Sequence, residues 1–416
     1  MKISLFTLTS FIHDPAVIEQ QSAAFLQEIS QAVDCEFDVK GEDFSLYDAA
    51  TMPVIFVRTG GTEGFFKAAF SQIKGSYVRL LTSGMSNSLA ASMEILSYLQ
   101  QQGCQGEIYH GSPSYIAQRL HTDYRVEQAR LRLRDTRLGV IGTPSDWLIA
   151  SGVDRHTLKE KLGIEMFDIA IDELVETYHS LDETSELWKA ICESPEFLRF
   201  EAHAPEALKT YRNGAFRLYG ALAQLVEKYE LSGFTLRCFD LLSLVHNTGC
   251  MALAMFNAQG IPACCEGDIP ALLTMTIGQA LTGQTGFQAN PSRLDVDGGE
   301  ITFAHCTMPL NMVRSYGYDT HFESGIGIGL KGEFAKGPMT IAKISGDLGR
   351  SWFCPATLCK NLSERNLCRT QVVLRGSGFA DYFLTHPIGN HHILFTGNQT
   401  LLFETFMKRM GDDKPF

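Results

Sequence analysis

Short apolar runs, each ending in a Gly-, Ser- or Thr-rich loop and passing into a helical pattern, recur along most of this chain. That rhythm constrains its fold more than any other feature. Ile3 to Thr9 is the first run, and after His13-Asp14-Pro15 a helical pattern covers Val17 to Val33. Met52-Pro-Val-Ile-Phe-Val57 is the second and ends in Arg58-Thr-Gly-Gly-Thr-Glu63. Val78 to Leu81 leads into Thr82-Ser-Gly-Met-Ser-Asn87 and a helix over Leu89–Leu99. Strand, loop, helix, repeated, predicts a doubly wound parallel sheet, in which the loops after the strand ends line the ligand crevice.

The rhythm restarts after an arginine-rich helical stretch, Thr122 to Arg134, which reads as a solvated connector. Arg137-Leu-Gly-Val-Ile141 opens a second α/β unit, continued by a strand at Glu165, a long amphipathic helix over Tyr211–Tyr229, and strands beginning at Phe234 and Gly260. Beyond Gly286 the pattern changes to short β-like runs at Ile301–Ala304, Met339–Ile344 and Gln371–Leu374, separated by Gly-rich turns and closed by a helix over Gln399–Met410. The expected fold class is therefore α/β: two doubly wound parallel-sheet domains, residues 1–136 and 137–285, then a β-rich, barrel-like C-terminal domain, residues 286–416.

With 416 residues the chain exceeds a single ordinary core. Its net charge of −12 argues against a nucleic-acid-binding surface, which needs clustered Lys and Arg. No apolar run reaches membrane-spanning length and no signal-peptide pattern stands at Met1, so no membrane partner is expected. Eleven cysteines without zinc-type spacing, an odd number, fit reduced thiols and a cytoplasmic location.

Three segments mix apolar residues with metal-capable side chains: Cys264-Cys-Glu-Gly-Asp-Ile-Pro270, Phe303-Ala-His-Cys-Thr307 and Gly389-Asn-His-His-Ile-Leu-Phe395. Buried acids and imidazoles need partners, because unpaired polar burial costs several kcal/mol. A shared divalent metal would be such a partner. Glu266 ends an apolar run where parallel sheets hold ligands. Asp268 is equally well explained as a helix N-cap, and His305 as a hydrogen-bonded core histidine. Neighbouring residues of a strand face opposite sides. Only one of His391 and His392 can therefore reach a site, and His392 is the expected ligand with His391 in support. Carboxylate and imidazole without thiolate favour Mn²⁺-type chemistry. Arg58, Thr59, Ser83, Asn87 and Trp147 lie on loops suited to polar sugar contacts, with a plain tight turn as the alternative for each. Arg369 suits an anionic or hydroxyl-rich group, or a surface ion pair. Cys238 and Cys306 flank site residues and read as small buried hydrophobes rather than nucleophiles.

Taken jointly, Gly142-Thr-Pro-Ser-Asp-Trp-Leu-Ile-Ala-Ser151, Cys265-Glu-Gly-Asp-Ile-Pro-Ala-Leu-Leu-Thr-Met275, Ala289-Asn-Pro-Ser292, Ala304-His-Cys-Thr307, His321-Phe-Glu-Ser-Gly-Ile-Gly327, Asn366-Leu-Cys-Arg-Thr-Gln371 and Gly389-Asn-His-His392 resemble the L-fucose isomerase and L-arabinose isomerase superfamily, in its shorter branch. The resemblance implies two α/β domains and a β-rich domain, and a homo-oligomer, trimer or hexamer, with the active site near a subunit interface. It also implies a Mn²⁺ centre that interconverts an open-chain aldose and ketose through an enediolate. The family glutamate falls on Glu266, the late histidine on His392 and the arabinose-isomerase histidine on His305. The family's second carboxylate has no counterpart: Gly286-Phe-Gln-Ala-Asn290 stands there, with Asn290 or Gln288 able to offer a carbonyl oxygen but not a base. Asp268 is then the expected catalytic partner of Glu266. The alternatives are a non-catalytic sugar- or metal-binding protein on an isomerase scaffold, or an epimerase or lyase using the same enediolate.

Overall fold

The computed structural model describes residues 1–48, 51–73 and 77–411. The chain divides into two compact units, Met1–Glu127 and Gln128–Phe416.

The first unit is built on strands β1 (Lys2–Leu8), β2 (Glu36–Gly41), β3 (Val54–Val57), β4 (Val78–Leu81) and β5 (Gly106–Tyr109), all parallel, in the order β2-β1-β3-β4-β5. The central strands β3 and β4 are buried at every residue, as expected of a sheet covered on both faces. Beneath it, the buried Arg79 pairs with Asp123 at 2.5 Å and Glu127 at 2.6 Å, both on the helix Pro113–Leu133. The connector helix thus spends part of its charge internally.

The second unit contains a four-stranded parallel sheet, a closed antiparallel barrel and a two-stranded ribbon. The sheet is formed by β6 (Arg137–Ile141), β7 (Glu165–Ile169), β8 (Gly233–Leu236) and β9 (Ala263–Cys265), in the order β7-β6-β8-β9. The remaining strands are β10 (Phe287–Asp295), β11 (Glu300–His305), β12 (Ser315–Asp319), β13 (Gly329–Glu333), β14 (Gly337–Ile344), β15 (Ser351–Leu362), β16 (Thr370–Arg375) and β17 (His392–Thr396). The barrel runs β10-β11-β16-β15-β14-β17 and closes by pairing of β10 with β17; β12 and β13 form the ribbon. The expected fold class is observed.

Within this unit the helix Ile269–Thr282 joins sheet to barrel. It is buried along almost its whole length. It packs so closely on the barrel that a Cβ on Gly278 would fall 2.1 Å from the Phe395 ring. Gln288 ties the same junction: its Oε1 accepts from the Cys265 backbone N–H at 2.7 Å, and its Nε2 donates to the Cys265 carbonyl at 3.3 Å. One amide side chain thereby satisfies both backbone groups of an edge strand. The sheet and the barrel lie within one compact unit, Gln128–Phe416.

Candidate functional site

Glu266 and Gly267 follow β9 and both adopt left-handed backbone angles, φ 67° and 70°. For a glutamate this conformation is costly, and residues held so cluster where function demands it. The turn is pinned by the loop after β6. Ser145 N–H donates to the Glu266 carbonyl at 3.0 Å, and a Cβ on Gly267 would lie 2.7 Å from the Thr143 carbonyl oxygen. The same loop carries Trp147, whose indole N–H donates to Glu266 Oε2 at 2.7 Å.

Glu266 Oε1 faces two imidazoles, lying 3.6 Å from His305 Nε2 and 3.3 Å from His391 Nε2. His305 ends β11 and is oriented by Thr307, whose hydroxyl is 2.9 Å from Nδ1. Asp268 caps the helix Ile269–Thr282, accepting from Ala271 N–H at 2.8 Å. Its other oxygen lies 2.9 Å from His391 Nδ1. It therefore serves as N-cap and as the group that orients His391.

Of the two neighbouring histidines, it is His391 that the structure brings into the cluster with Glu266 and His305. His391 precedes β17 and turns towards Glu266 and Asp268. His392 pairs with Ala289 in the barrel and sits among Phe303, Trp352, Tyr382 and Phe383. Its Nε2 is held by the Tyr382 hydroxyl at 2.8 Å and its Nδ1 by the Asn390 carbonyl at 2.8 Å. Both nitrogens are thus engaged inside the barrel. Alternation along the strand separates the pair as expected, but in the opposite sense.

The electrostatics follow from burial against pairing. Burial disfavours ionised Glu266, yet the two histidines outweigh it and hold the carboxyl well below the usual range. Burial likewise opposes ionised Asp268, but Lys343 and His391 bring it to about 2. Burial works against a charged His391, and the two carboxylates overcome it, raising it to about 9. Burial lowers His305 and takes His392 down to about 3.

One donor atom from each of Glu266, His305 and His391 lies within 4.8 Å of the others. Two buried atoms make no hydrogen bond among the described residues: His391 Nε2 in the cluster, and Oδ1 of Asn290, whose backbone pairs with Ala304 next to His305. Two carboxylates that draw a proton onto a buried imidazole make a place that favours positive charge. Nitrogen and oxygen donors without thiolate suit a divalent cation. The residues present therefore fit a metal.

Aromatic rings stand on the Oε2 side of Glu266. Trp147 packs edge-on to Phe239 at 5.0 Å, and Phe239 edge-on to His321 at 5.6 Å. His321 and Glu323 lie on the loop between β12 and β13, which is fixed where the Thr248 hydroxyl meets the backbone of Ile328. Burial, then the field of His305, depresses His321 to about 4. Burial and repulsion from Glu266 raise Glu323. No role was read for these two residues from sequence, although His321-Phe-Glu-Ser-Gly was visible as a motif. Arg369 holds this loop, donating to the Thr320 carbonyl at 2.8 Å, with its guanidinium 5.9 Å from the Phe322 ring.

Arg58, Thr59, Ser83 and Asn87 lie in the first unit, at the ends of its strands. Arg58 pairs with Glu19 at 2.9 Å, and the buried Thr59 hydroxyl accepts from Ser10 N–H at 2.9 Å. Ser83 Oγ accepts from Met85 N–H at 3.3 Å, and Asn87 has a left-handed φ of 59° beside Gly60. Cys238 and Cys306 are buried, and Cys238 Sγ lies 2.9 Å from Cys265 Sγ; all eleven cysteines are free. No helix among the described residues is long and apolar enough to cross a membrane.

No protein-family profile matches the chain. A sulfoquinovose isomerase from Clostridium sp. (strain MSTE9) is 26% identical over 216 residues, covering 51% of this chain and 46% of that protein. The chain is thus distantly similar to a sugar isomerase, and the match spans about half the length of that relative.

Proposed function

We propose that the chain is a metal-dependent aldose–ketose isomerase acting on an open-chain sugar. The observation that carries this reading is the convergence of Glu266, His305 and His391 around one buried point, with Trp147 on the outer carboxylate oxygen. Glu266, His305 and His391 would hold the cation, for which we assign Mn²⁺. Such a cation, when bound, supplies Lewis acidity to the oxygens on sugar C1 and C2.

The remaining work falls to the chain's own side chains. Asp268 keeps His391 Nε2 turned to the site and, fully buried, does not meet substrate; we assign it a positioning role. Isomerisation moves one proton from C2 to C1 and one from O2 to O1 while the carbonyl passes from C1 to C2 through an enediolate. That needs a group able to accept and return a proton at the open face. Glu323 is the carboxylate we assign to it. It is exposed, on the loop whose His321 packs on Phe239 beside Trp147, and partial burial of its carboxyl, with the charge of metal-free Glu266 second, makes it more basic than an ordinary one. The β12–β13 loop would then supply in space the second acid that Gln288 and Asn290 do not. His321, neutral at pH 7, and the Trp147–Phe239 wall would orient hydroxyls and the apolar face of the sugar. The relative's named substrate, sulfoquinovose, is a sulfonated aldose, and sugars of that class are the first candidates here.

The test is a Mn²⁺-supplemented screen of aldoses, sulfoquinovose among them, read by ketose formation. Ketose from at least one aldose, lost on chelation, is expected. No ketose from any aldose with metal demonstrably bound would contradict the proposal.

A further inference from the structure

A cavity of about 290 Å³ adjoins Asp268, with Ser151, Asp154, Pro270, Lys343, Ser345 and Arg350 among its lining. Lys343, on β14, is 1% exposed, and its Nζ makes no hydrogen bond among the described residues. Its nearest acid is Asp268, whose Oδ2 stands 3.9 Å away and is already engaged by His391. A buried ammonium with three donors and no acceptor is costly unless something else binds there. The other acids at the cavity are spent on their own turns. Asp154 accepts from the backbone N–H and hydroxyl of Thr157, and Asp347 from the Ser345 hydroxyl and Gly349 N–H. Gly389 passes between the open donors: a Cβ there would lie 3.7 Å from Ser151 Oγ and 3.9 Å from Lys343 Nζ.

Charge points the same way. Arg350 is a second cation in the lining, exposed to solvent as are the carboxylates Asp154 and Asp347, whereas the Lys343 ammonium is buried. An anion that met this buried ammonium directly would be favoured by the low local dielectric.

We infer that this cavity is an oxyanion site, with Lys343 and Arg350 as its cations and the Ser151 hydroxyl as a donor, taking a sulfonate, sulfate or phosphate group. If the chain is the sugar isomerase proposed above, the group is borne by the substrate; the anion site itself does not depend on that reading.

Inorganic sulfate titrated calorimetrically into the full chain, once with chelator and once with Mn²⁺, tests the site apart from any activity. One sulfate per chain is expected in both, with a dissociation constant on the order of 1 mM or tighter. Arg350→Gln should weaken it about tenfold, the loss of one charge-assisted contact. Lys343→Met should remove it; should that variant fail to fold, Arg350→Gln and Ser151→Ala decide. Absence of saturable binding, or binding that these substitutions leave unchanged, overturns the proposal. A matched pair of aldoses, neutral and 6-sulfonated, separates the sources. For a substrate-borne group, sulfate competes with the sulfonated sugar alone, and Arg350→Gln raises KM for it alone. For a free anion, sulfate alters both sugars alike without competition. If no aldose turns over, the titration still decides the site.

Discussion

At Glu266 the backbone takes a left-handed angle that costs a non-glycine residue on the order of 1–3 kcal/mol, and the surrounding hydrogen bonds hold it there. The carboxylate so aimed meets His305 and His391. If these three residues hold a cation, Glu266→Gln and His391→Ala should each abolish stoichiometric Mn²⁺ binding measured by calorimetry. Asp268→Asn, which keeps the helix cap but weakens the orientation of His391, should cost about 10–100-fold in affinity. Retention of full affinity in Asp268→Asn would contradict its positioning role. The residues of this cluster were legible from sequence because acids and imidazoles inside apolar segments demand partners. The choice between His391 and His392 was not, because it depends on which face of β17 looks into the barrel. That is set by pairing with Ala289, about a hundred positions away in sequence. The placement of His321 and Glu323 is hidden for a related reason: their loop is tied down through Thr248, 80 positions from Ile328 in sequence, a contact no local pattern encodes.

Among the elements, the tightest constraint is the helix Ile269–Thr282 against β17. Gly278→Ala would place a methyl group 2.1 Å from Phe395, and overpacking of this kind costs about 1–3 kcal/mol. A fall in the denaturant midpoint with unchanged slope should report it; an unaltered midpoint would show that the helix gives way freely. Gln288→Glu should also destabilise, because a carboxylate cannot donate to the Cys265 carbonyl and would be buried charged beside β9. This explains why an amide occupies the place where a second acid was sought. The apolar strands β1, β3, β4 and β6 were readable as runs, since burial on both faces leaves no polar alternation. The strands β2 and β5 were not, because they are half-exposed and carry polar residues. The helices between Ile171 and His203 were missed as well, being short and built around single buried residues such as Leu174 and Phe200. Closure of the barrel rests on long-range pairing that short β-like runs do not reveal.

For the molecule as a whole, metal and proton compete for one place. His391 has a folded-state value of about 9, above the ordinary 6.5. In the metal-free protein its protonation therefore stabilises the fold fully below about pH 6.5, and this contribution is lost as pH rises through about 9. A thermal melting series in chelator should show the loss across that window. With Mn²⁺ at about 1,000 times its dissociation constant, the fold should gain about 4 kcal/mol, and the alkaline loss should shrink because the cation replaces the proton. Identical melting curves with and without metal across the range would contradict a cation at this place. The most direct measurement of the central claim is solvent deuterium incorporation at C2 of a candidate aldose, followed by mass spectrometry with Mn²⁺ present. Metal-dependent incorporation by the native chain is expected, with a drop of about 10²–10⁴-fold in Glu323→Gln while metal binding stays intact. Incorporation that persists unchanged in chelator, or its absence for every aldose with the metal bound, would contradict the claim.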